Sequence, residues 1–290
     1  MIGGMIVSWS IYYAISKVVV GATGSAFFAG FLLRSAAFIF LTLQLLAGGK
    51  LKSIFTQGKA VKILFLIGFF GFAQDILANL GYAGGSLSTG AALLKTDILM
   101  ANLVTVIVYR KKLYLSDWLG TAIMLAGVFL VLEIDFDSMT FRWSDLFFIL
   151  SAAALTANAF IVKSAQDQYH VSSDMVSYYN NFTVMSCSLA GAAATGSAGK
   201  AAFSGVFSIL GLILAGGLAQ TGIYFFYYRN LKTHEVWVVK LWLLLMPVVS
   251  CFIGVVFLGE QLTYSKIAGI FIVLAGASLI LLREKLHHPA

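Results

Sequence analysis

Apolar runs of about 20 residues follow one another from end to end of this 290-residue chain, and no other feature limits its fold so severely. A run of that length matches a membrane-spanning helix, because a rise of about 1.5 Å per residue crosses the hydrocarbon core in about 20 residues. Measured this way, spans fall near residues 2–20, 25–47, 61–82, 87–109, 117–134, 144–162, 174–195, 204–228, 235–258 and 265–283. They leave no room for a separate soluble domain. The runs are continuous rather than alternating, which argues against a barrel of amphipathic strands. Composition agrees, with 60% apolar and 11% charged residues, against roughly half and a quarter in an ordinary soluble domain. The expected fold class is an all-α integral membrane protein with ten transmembrane helices.

A net charge of +7 invites a nucleic-acid partner, but the basic residues sit in short loops between apolar runs rather than on one face or in a tail. No nucleic acid is expected; the surroundings are membrane lipid. Twelve Lys and Arg, from Lys50 and Lys52 through Arg283 and Lys285, fall on one side of the spans, whereas only Lys17, Arg142, Lys200 and Lys266 fall on the other. Cytoplasmic loops keep the positive charge, so both termini are expected in the cytoplasm and the acidic connection "LEIDFDSMTFRW" outside. The opening "MIGGMIVSWSIYYAISKVVV" has no basic leader and reads as a span rather than a cleaved signal. Cys187 and Cys251 both lie within apolar runs, where a cysteine acts as a small buried hydrophobe.

Sliding the chain along itself by 146 to 149 residues exposes an internal repeat. "DWLGTAIMLAGVFLVL" from Asp117 aligns with "SKIAGIFIVLAGASLIL" from Ser265, so Gly120 and Gly127 correspond to Gly269 and Gly276. Gln74 likewise corresponds to Gln220, Tyr82 to Tyr228 and Lys17 to Lys163. Residues 1–142 and 143–290 then form two five-helix halves. An odd number of spans per half turns the second copy over, giving the inverted repeat of many secondary transporters. The glycines recur every seven residues on one helix face and allow close packing between spans or between protomers, including a homodimer through spans five and ten.

The C-terminal stretch "LLLMPVVSCFIGVVFLGEQLTYSKIAGIFIVLAGASLIL" resembles the closing hairpin of the drug/metabolite transporter superfamily, in its EamA-type branch of ten-span carriers. Pro247, the run Leu258-Gly259-Glu260, and Gly269 with Gly276 carry the likeness. The first half departs from the pattern: Ile98 stands where the proline is usual, and Arg110, Lys111 and Lys112 stand where Leu-Gly-Glu would be. The resemblance implies a central cavity walled by spans one to four and six to nine, alternating access without ATP, and placement in a bacterial inner (cytoplasmic) membrane. No phosphate-binding loop of the G-x-x-x-x-G-K-[ST] type occurs, and no cofactor is expected.

Three basic residues lie inside spans: Arg34, Lys95 and Lys240. A charge in hydrocarbon persists only if it is paired or meets water. On a regular helix Lys95 and Asp97 project about 200° apart and cannot pair, whereas Lys95 and Asn102 share a face. That face is the expected lining of a water-filled passage, with Asp97 turned to a neighbouring helix or the passage edge. Lys240 corresponds to Lys95 when the repeat is aligned from the Gln74/Gln220 side with one gap, whereas alignment from the glycines places Lys95 one turn away. On the first alignment the two cations are expected on opposite sides of the passage midpoint, in position for an anionic or carboxylate-bearing solute. Snorkelling to the interface is the alternative for Lys240. The Arg34 guanidinium suits bidentate capture of a carboxylate or phosphate, or else a fixed ion pair with Asp75 or Asp97. Asp75 and Asp97 are also proton-carrier candidates. Gln74, Gln220, Asn180 and Tyr228 are candidate hydrogen-bonding wall residues, and Trp9 and Trp242 are the aromatics far enough from span ends to line a cavity.

The pattern points to a secondary carrier that moves a small polar metabolite, anionic or amino-acid-like, outward by export. An intramembrane enzyme would need clustered metal ligands or a nucleophile with its base, whereas the four histidines, His170, His234, His287 and His288, form no such cluster. A receptor would normally carry a larger soluble segment.

Overall fold

The computed structural model of the chain describes residues 1–84, 93–134, 143–197, 206–258 and 261–287. The expected start of the fourth span at 87–92, most of the acidic connection, Arg142, Lys200 and the Gly259-Glu260 pair lie outside the described residues. All regular structure among the described residues is helical. The main helices are α1 (Ile2–Thr23), α2 (Ala26–Ala47), α3 (Val61–Gly84), α4 (Asp97–Ile107), α5 (Leu115–Val131), α6 (Trp143–Gln168), α7 (Ser173–Ala194), α8 (Leu210–Thr233), α9 (Val236–Trp242), α10 (Met246–Leu258) and α11 (Tyr264–His287).

Two expected spans are not continuous helices. Regular α4 begins only at Asp97, after a turn at residues 95–96. The ninth span is divided into α9 and α10 by a 3-10 turn at Leu243–Leu245. Pro247 explains that break, since it offers no N–H to the carbonyl four residues earlier and its ring crowds that carbonyl. Five helical stretches are long and apolar enough to cross a membrane by length and composition: Ile2–Thr23, Ala26–Ala47, Gly58–Ala78, Asp145–Gln168 and Val206–Thr233. Large apolar side chains such as Ile107, Leu218 and Phe271 stand 60–70% exposed on helices, a surface suited to lipid.

Helix ends repeat as well as helix bodies. Ser25 caps α2 by accepting from the Phe28 N–H, and Ser172 caps α7 by accepting from the Met175 N–H, each at 3.3 Å. Before α2 the chain turns sharply at Gly24, whose φ of 65° closes α1 in the left-handed region.

The chain forms two compact units that are not the two sequence halves. One comprises Met1–Ile76 and Ala157–Glu235, the other Leu77–Thr156 and Val236–Ala290. Each therefore draws helices from both halves. In the first, Val19, Phe28, Leu33, Ala192 and Ile213 form a buried core where α1, α2, α7 and α8 meet. Here Gly71 of α3 lies against Asn180 of α7, and Gly217 of α8 lies against Ala36 and Ala37 of α2.

In the second unit α5 and α11 run antiparallel in close contact, through the very glycines that repeat in sequence. A Cβ on Gly127 would stand 2.8 Å from the Gly269 carbonyl oxygen, and one on Gly276 would stand 2.8 Å from that of Gly120. A Cβ on Gly127 would also reach the Val273 nitrogen at 2.6 Å, and one on Gly276 the Met124 nitrogen at 2.9 Å. Each contact becomes the other when the two helices exchange places with an offset of 149 residues (276 − 127 and 269 − 120). A local two-fold axis between the helices produces this reciprocity. Because these glycine faces are filled by each other, any pairing of two copies through spans five and ten would have to use other faces.

Loops assigned to one side by charge also meet within each unit. Asp174 accepts from Lys50 at 3.1 Å and from Arg229 at 3.2 Å, and Lys163 donates to the Lys232 carbonyl at 3.2 Å. From the opposite side, Ser25 meets Ser197 at 2.9 Å in the first unit, and Lys266 approaches Glu133 at 3.8 Å in the second.

The close glycine contact yields a prediction. Gly127→Ala is expected to lower stability by about 1–3 kcal/mol, because its methyl meets backbone that cannot yield. Gly21→Ala, with nothing within 4 Å of the added carbon, is expected to leave stability unchanged or raise it by about 0.5–1 kcal/mol. Denaturation midpoints of the purified variants in detergent read the difference.

Candidate functional site

Arg34 with Asp75, and Lys95 and Lys240 with Asp97, form two clusters, one in each unit. In the first unit Arg34 sits at mid-length on α2, 6% exposed among buried apolar neighbours. Its Nη2 donates to Asp75 Oδ2 of α3 at 2.8 Å, and its Nη1 donates to the Tyr224 hydroxyl of α8. The rings of Tyr12 and Tyr224 lie 5.8 and 5.6 Å from the guanidinium carbon, within cation–π range. Asn181 Nδ2 of α7 donates to the Arg34 carbonyl at 2.9 Å. Four helices thus hold one cation. The carboxylate is the more accessible partner: the Asp75 side chain is 34% exposed and that of Arg34 7%.

The wall behind this pair is aromatic and amide. Tyr224 and Tyr228, one turn apart on α8, stack with centroids 5.3 Å apart. Asn180 Nδ2 donates to the Tyr228 hydroxyl, and Gln166 Nε2 donates to the Tyr228 carbonyl at 2.9 Å. Gln220 is buried one turn before Tyr224 and hydrogen-bonds to it. Gln74 is half-buried and donates to Asp75 Oδ1 at 3.4 Å. Trp9 is buried edge-on against Tyr227, centroids 5.2 Å apart.

In the second unit Lys240, in the last turn of α9, donates to Asp97 Oδ2 at 2.7 Å. Both residues are sealed, at 1% and 6% exposure. The placement suits each charge, since a carboxylate in the first turn of α4 and an ammonium in the last turn of α9 each sit at the favourable end of a helix dipole. Thr156 Oγ1 donates to the Asp97 carbonyl at 3.1 Å. Asn102, fully buried, donates to Thr121 Oγ1 of α5 at 3.5 Å, and its own carbonyl oxygen has no partner among the described residues. Trp242 is half-buried at the end of α9.

Lys95 differs from the other two cations. It lies in the turn before α4, half-buried, within electrostatic reach of both Asp97 and Lys240. Its side chain makes no hydrogen bond and no ion pair among the described residues. Arg34 is paired with Asp75 and Lys240 with Asp97, so Lys95 is the basic side chain of the two clusters that has no ion pair among the described residues.

Several geometric expectations are corrected here. Lys95 and Lys240 do not stand on opposite sides of a midpoint; both converge on Asp97. Of the two placements expected for Asp97, the structure has the first, against a neighbouring helix, α9, and Lys240 is sealed rather than snorkelling. The reason is local: the helix is regular only from Asp97 onward, so angular spacing measured back to Lys95 does not hold. Sequence reasoning also passed over Tyr224, Asn181 and Thr121 as partners. Tyr224 carried a legible signal, being four residues before Tyr228 and so on the same helix face.

Breaking the buried pair tests its role. Lys240→Met strands the Asp97 carboxylate and is expected to cost about 3–5 kcal/mol. Adding Asp97→Asn removes the stranded charge and is expected to recover more than half of the loss. A double-mutant cycle on denaturation midpoints reads the coupling.

Comparison with known proteins places this geometry in context. The model of the EamA-like transporter family matches residues 1–133 and 142–282. A stretch of 96 residues is 31% identical to the uncharacterized transporter YdfC of Bacillus subtilis (strain 168), covering 33% of this chain and 31% of that protein's length. A solved crystal structure of another protein superposes with a TM-score of 0.73 at 14% identity, over 97% of this chain and 98% of that one. At that identity the likeness shows the fold alone.

Proposed function

We propose that this chain, which belongs to the EamA-like transporter family, is a secondary carrier that exports a small polar metabolite, anionic or amino-acid-like, by alternating access. The observation that carries the proposal is Lys95. An ammonium without a carboxylate partner, inside an apolar segment and beside a pair that is already neutral, persists only with water or an anion next to it. A passing solute with a negative group supplies that charge, and its departure returns the lysine to water. The helix interruptions on either side of this cluster, at residues 95–96 and 243–245, fit the same function. Irregular backbone at membrane depth is tolerated where it is buried in protein or lines a cavity, and broken helices form the solute sites of many carriers.

Two inverted five-helix halves, ten spans and cytoplasmic termini complete the proposal. The reciprocal glycine contacts of α5 and α11, the matched caps at Ser25 and Ser172, and the meeting of loops assigned to one side support that architecture. Lys95, Asn102 and Trp242 in the second unit, and Arg34, Gln74, Asn180, Gln220, Tyr228 and Trp9 in the first, are the proposed solute-facing or supporting residues. Asp75 and Asp97 are the proposed proton carriers; Asp75, the more exposed, is the better placed.

Uptake into liposomes tests the reading. Solutes that raise the thermal stability of the purified protein are screened first, then followed as flux. Lys95→Ala is expected to lower flux of an anionic solute by about 1–3 kcal/mol of lost interaction, that is roughly 5- to 150-fold, with folding intact. Wild-type flux in Lys95→Ala, or a protein that moves no solute across the bilayer, would contradict it.

A further inference from the structure

The geometry points to Arg34 as a binding site for a small carboxylate, held shut by Asp75 and opened when that aspartate takes up a proton. The inference rests on the carrier reading for its purpose, but binding at Arg34 is measurable without transport.

The two members of the Arg34–Asp75 pair are held very unequally. Arg34 is anchored by the Tyr224 hydroxyl, by two flanking rings and, through its backbone, by Asn181. Asp75 has one firm bond, to Arg34, and a 3.4 Å contact from Gln74 to its other oxygen. It is also the partner that reaches the surface, with a side chain 34% exposed against 7%. If the pair opens, the aspartate leaves and the guanidinium stays.

The vacated seat defines its ligand. Arg34 Nε is buried without a partner among the described residues, and it lies on the same edge of the guanidinium as Nη2, which Asp75 occupies with one oxygen. This edge is half filled. A carboxylate that meets Nε and Nη2 together makes the bidentate pair that arginine favours, one hydrogen bond more than Asp75 makes. A cationic or neutral solute has nothing to offer there, because a buried guanidinium stripped of its anion is unfavourable.

Charge then links the solute to a proton. With an external carboxylate on Arg34, the displaced Asp75 carboxylate is a second negative group beside a single cation, and like charges at close range favour protonation of one. The titratable groups facing it are Arg34 on α2, Tyr12 on α1 and Tyr224 on α8. None of these adds a positive charge beyond Arg34. A proton from water binds an Asp75 oxygen as the carboxylate binds Arg34, and both leave together, so the loaded and empty sites carry the same net charge. Carboxylate and proton would cross as an electroneutral pair.

Benzoate is a suitable probe. Wild-type protein in weakly buffered detergent solution is expected to take up about one proton per benzoate bound, with affinity falling about tenfold per pH unit once Asp75 is ionised in the empty site. Asp75→Asn is expected to bind benzoate with no proton uptake and no such pH dependence, and Arg34→Gln to lose binding. The wild-type stoichiometry stands even if a variant misfolds. Binding without proton uptake, an unchanged pH slope in a folded Asp75→Asn, no benzoate binding at any pH, or equal binding of inorganic phosphate would each overturn the assignment. Proton-linked benzoate binding in a protein that shows no liposome flux would instead overturn the carrier reading and leave the site standing.

Discussion

No water is available inside a bilayer to solvate a charge, so each ionised side chain on a spanning helix needs an opposite charge or a hydrated opening. Much of this structure is organised by that requirement. Arg34 finds Asp75 on the next helix, and Lys240 finds Asp97 across more than a hundred residues of chain. Each pair ties helices that apolar packing alone would leave free to slide, since lipid tails solvate leucine as well as another helix does. The pairs also set what remains: Lys95, near Asp97 but with no side-chain ion pair or hydrogen bond among the described residues.

Where hydrophobic burial gives no preference, close contact decides which helices meet. The α5–α11 contact shows how far that goes, with backbone atoms of Gly120, Gly127, Gly269 and Gly276 within reach of any added methyl. The same four residues are the strongest landmark of the internal repeat. One chemical need, close approach between two helices related by an axis, accounts for both. Each of the two compact units likewise draws helices from both sequence halves.

The helices were legible in the sequence because a span must satisfy its own backbone and therefore shows as an unbroken apolar run. Boundaries such as 25–47 against the observed Ala26–Ala47 differ by a residue or so. The break near Pro247 has a visible cause, yet apolarity does not fall at the 3-10 turn, so hydropathy alone reads straight through it. The charged residues were visible as a set but their pairing was not. Arg34 could have met Asp75 or Asp97, and nothing within a few residues of either chooses between partners 41 and 63 positions away (75 − 34 and 97 − 34). Lys95 and Asp97 form no ion pair with each other, as their spacing implies, but regular helix starts only at Asp97, so a helical angle does not fix Lys95 relative to Lys240, and both lysines come within electrostatic reach of Asp97.

Whether Lys95 meets water is the question on which the functional conclusion turns. With Cys187 and Cys251 replaced, a cysteine at position 95 and one at position 101, where Ala101 is fully buried on α4, can be exposed in turn to a charged, membrane-impermeant thiol reagent. Rapid modification at 95 and none at 101 in the folded protein is the predicted result. A thiol at 95 as inert as the one at 101 would mean that the lone ammonium is sealed in a dry interior, and a solute passage beside it would be ruled out.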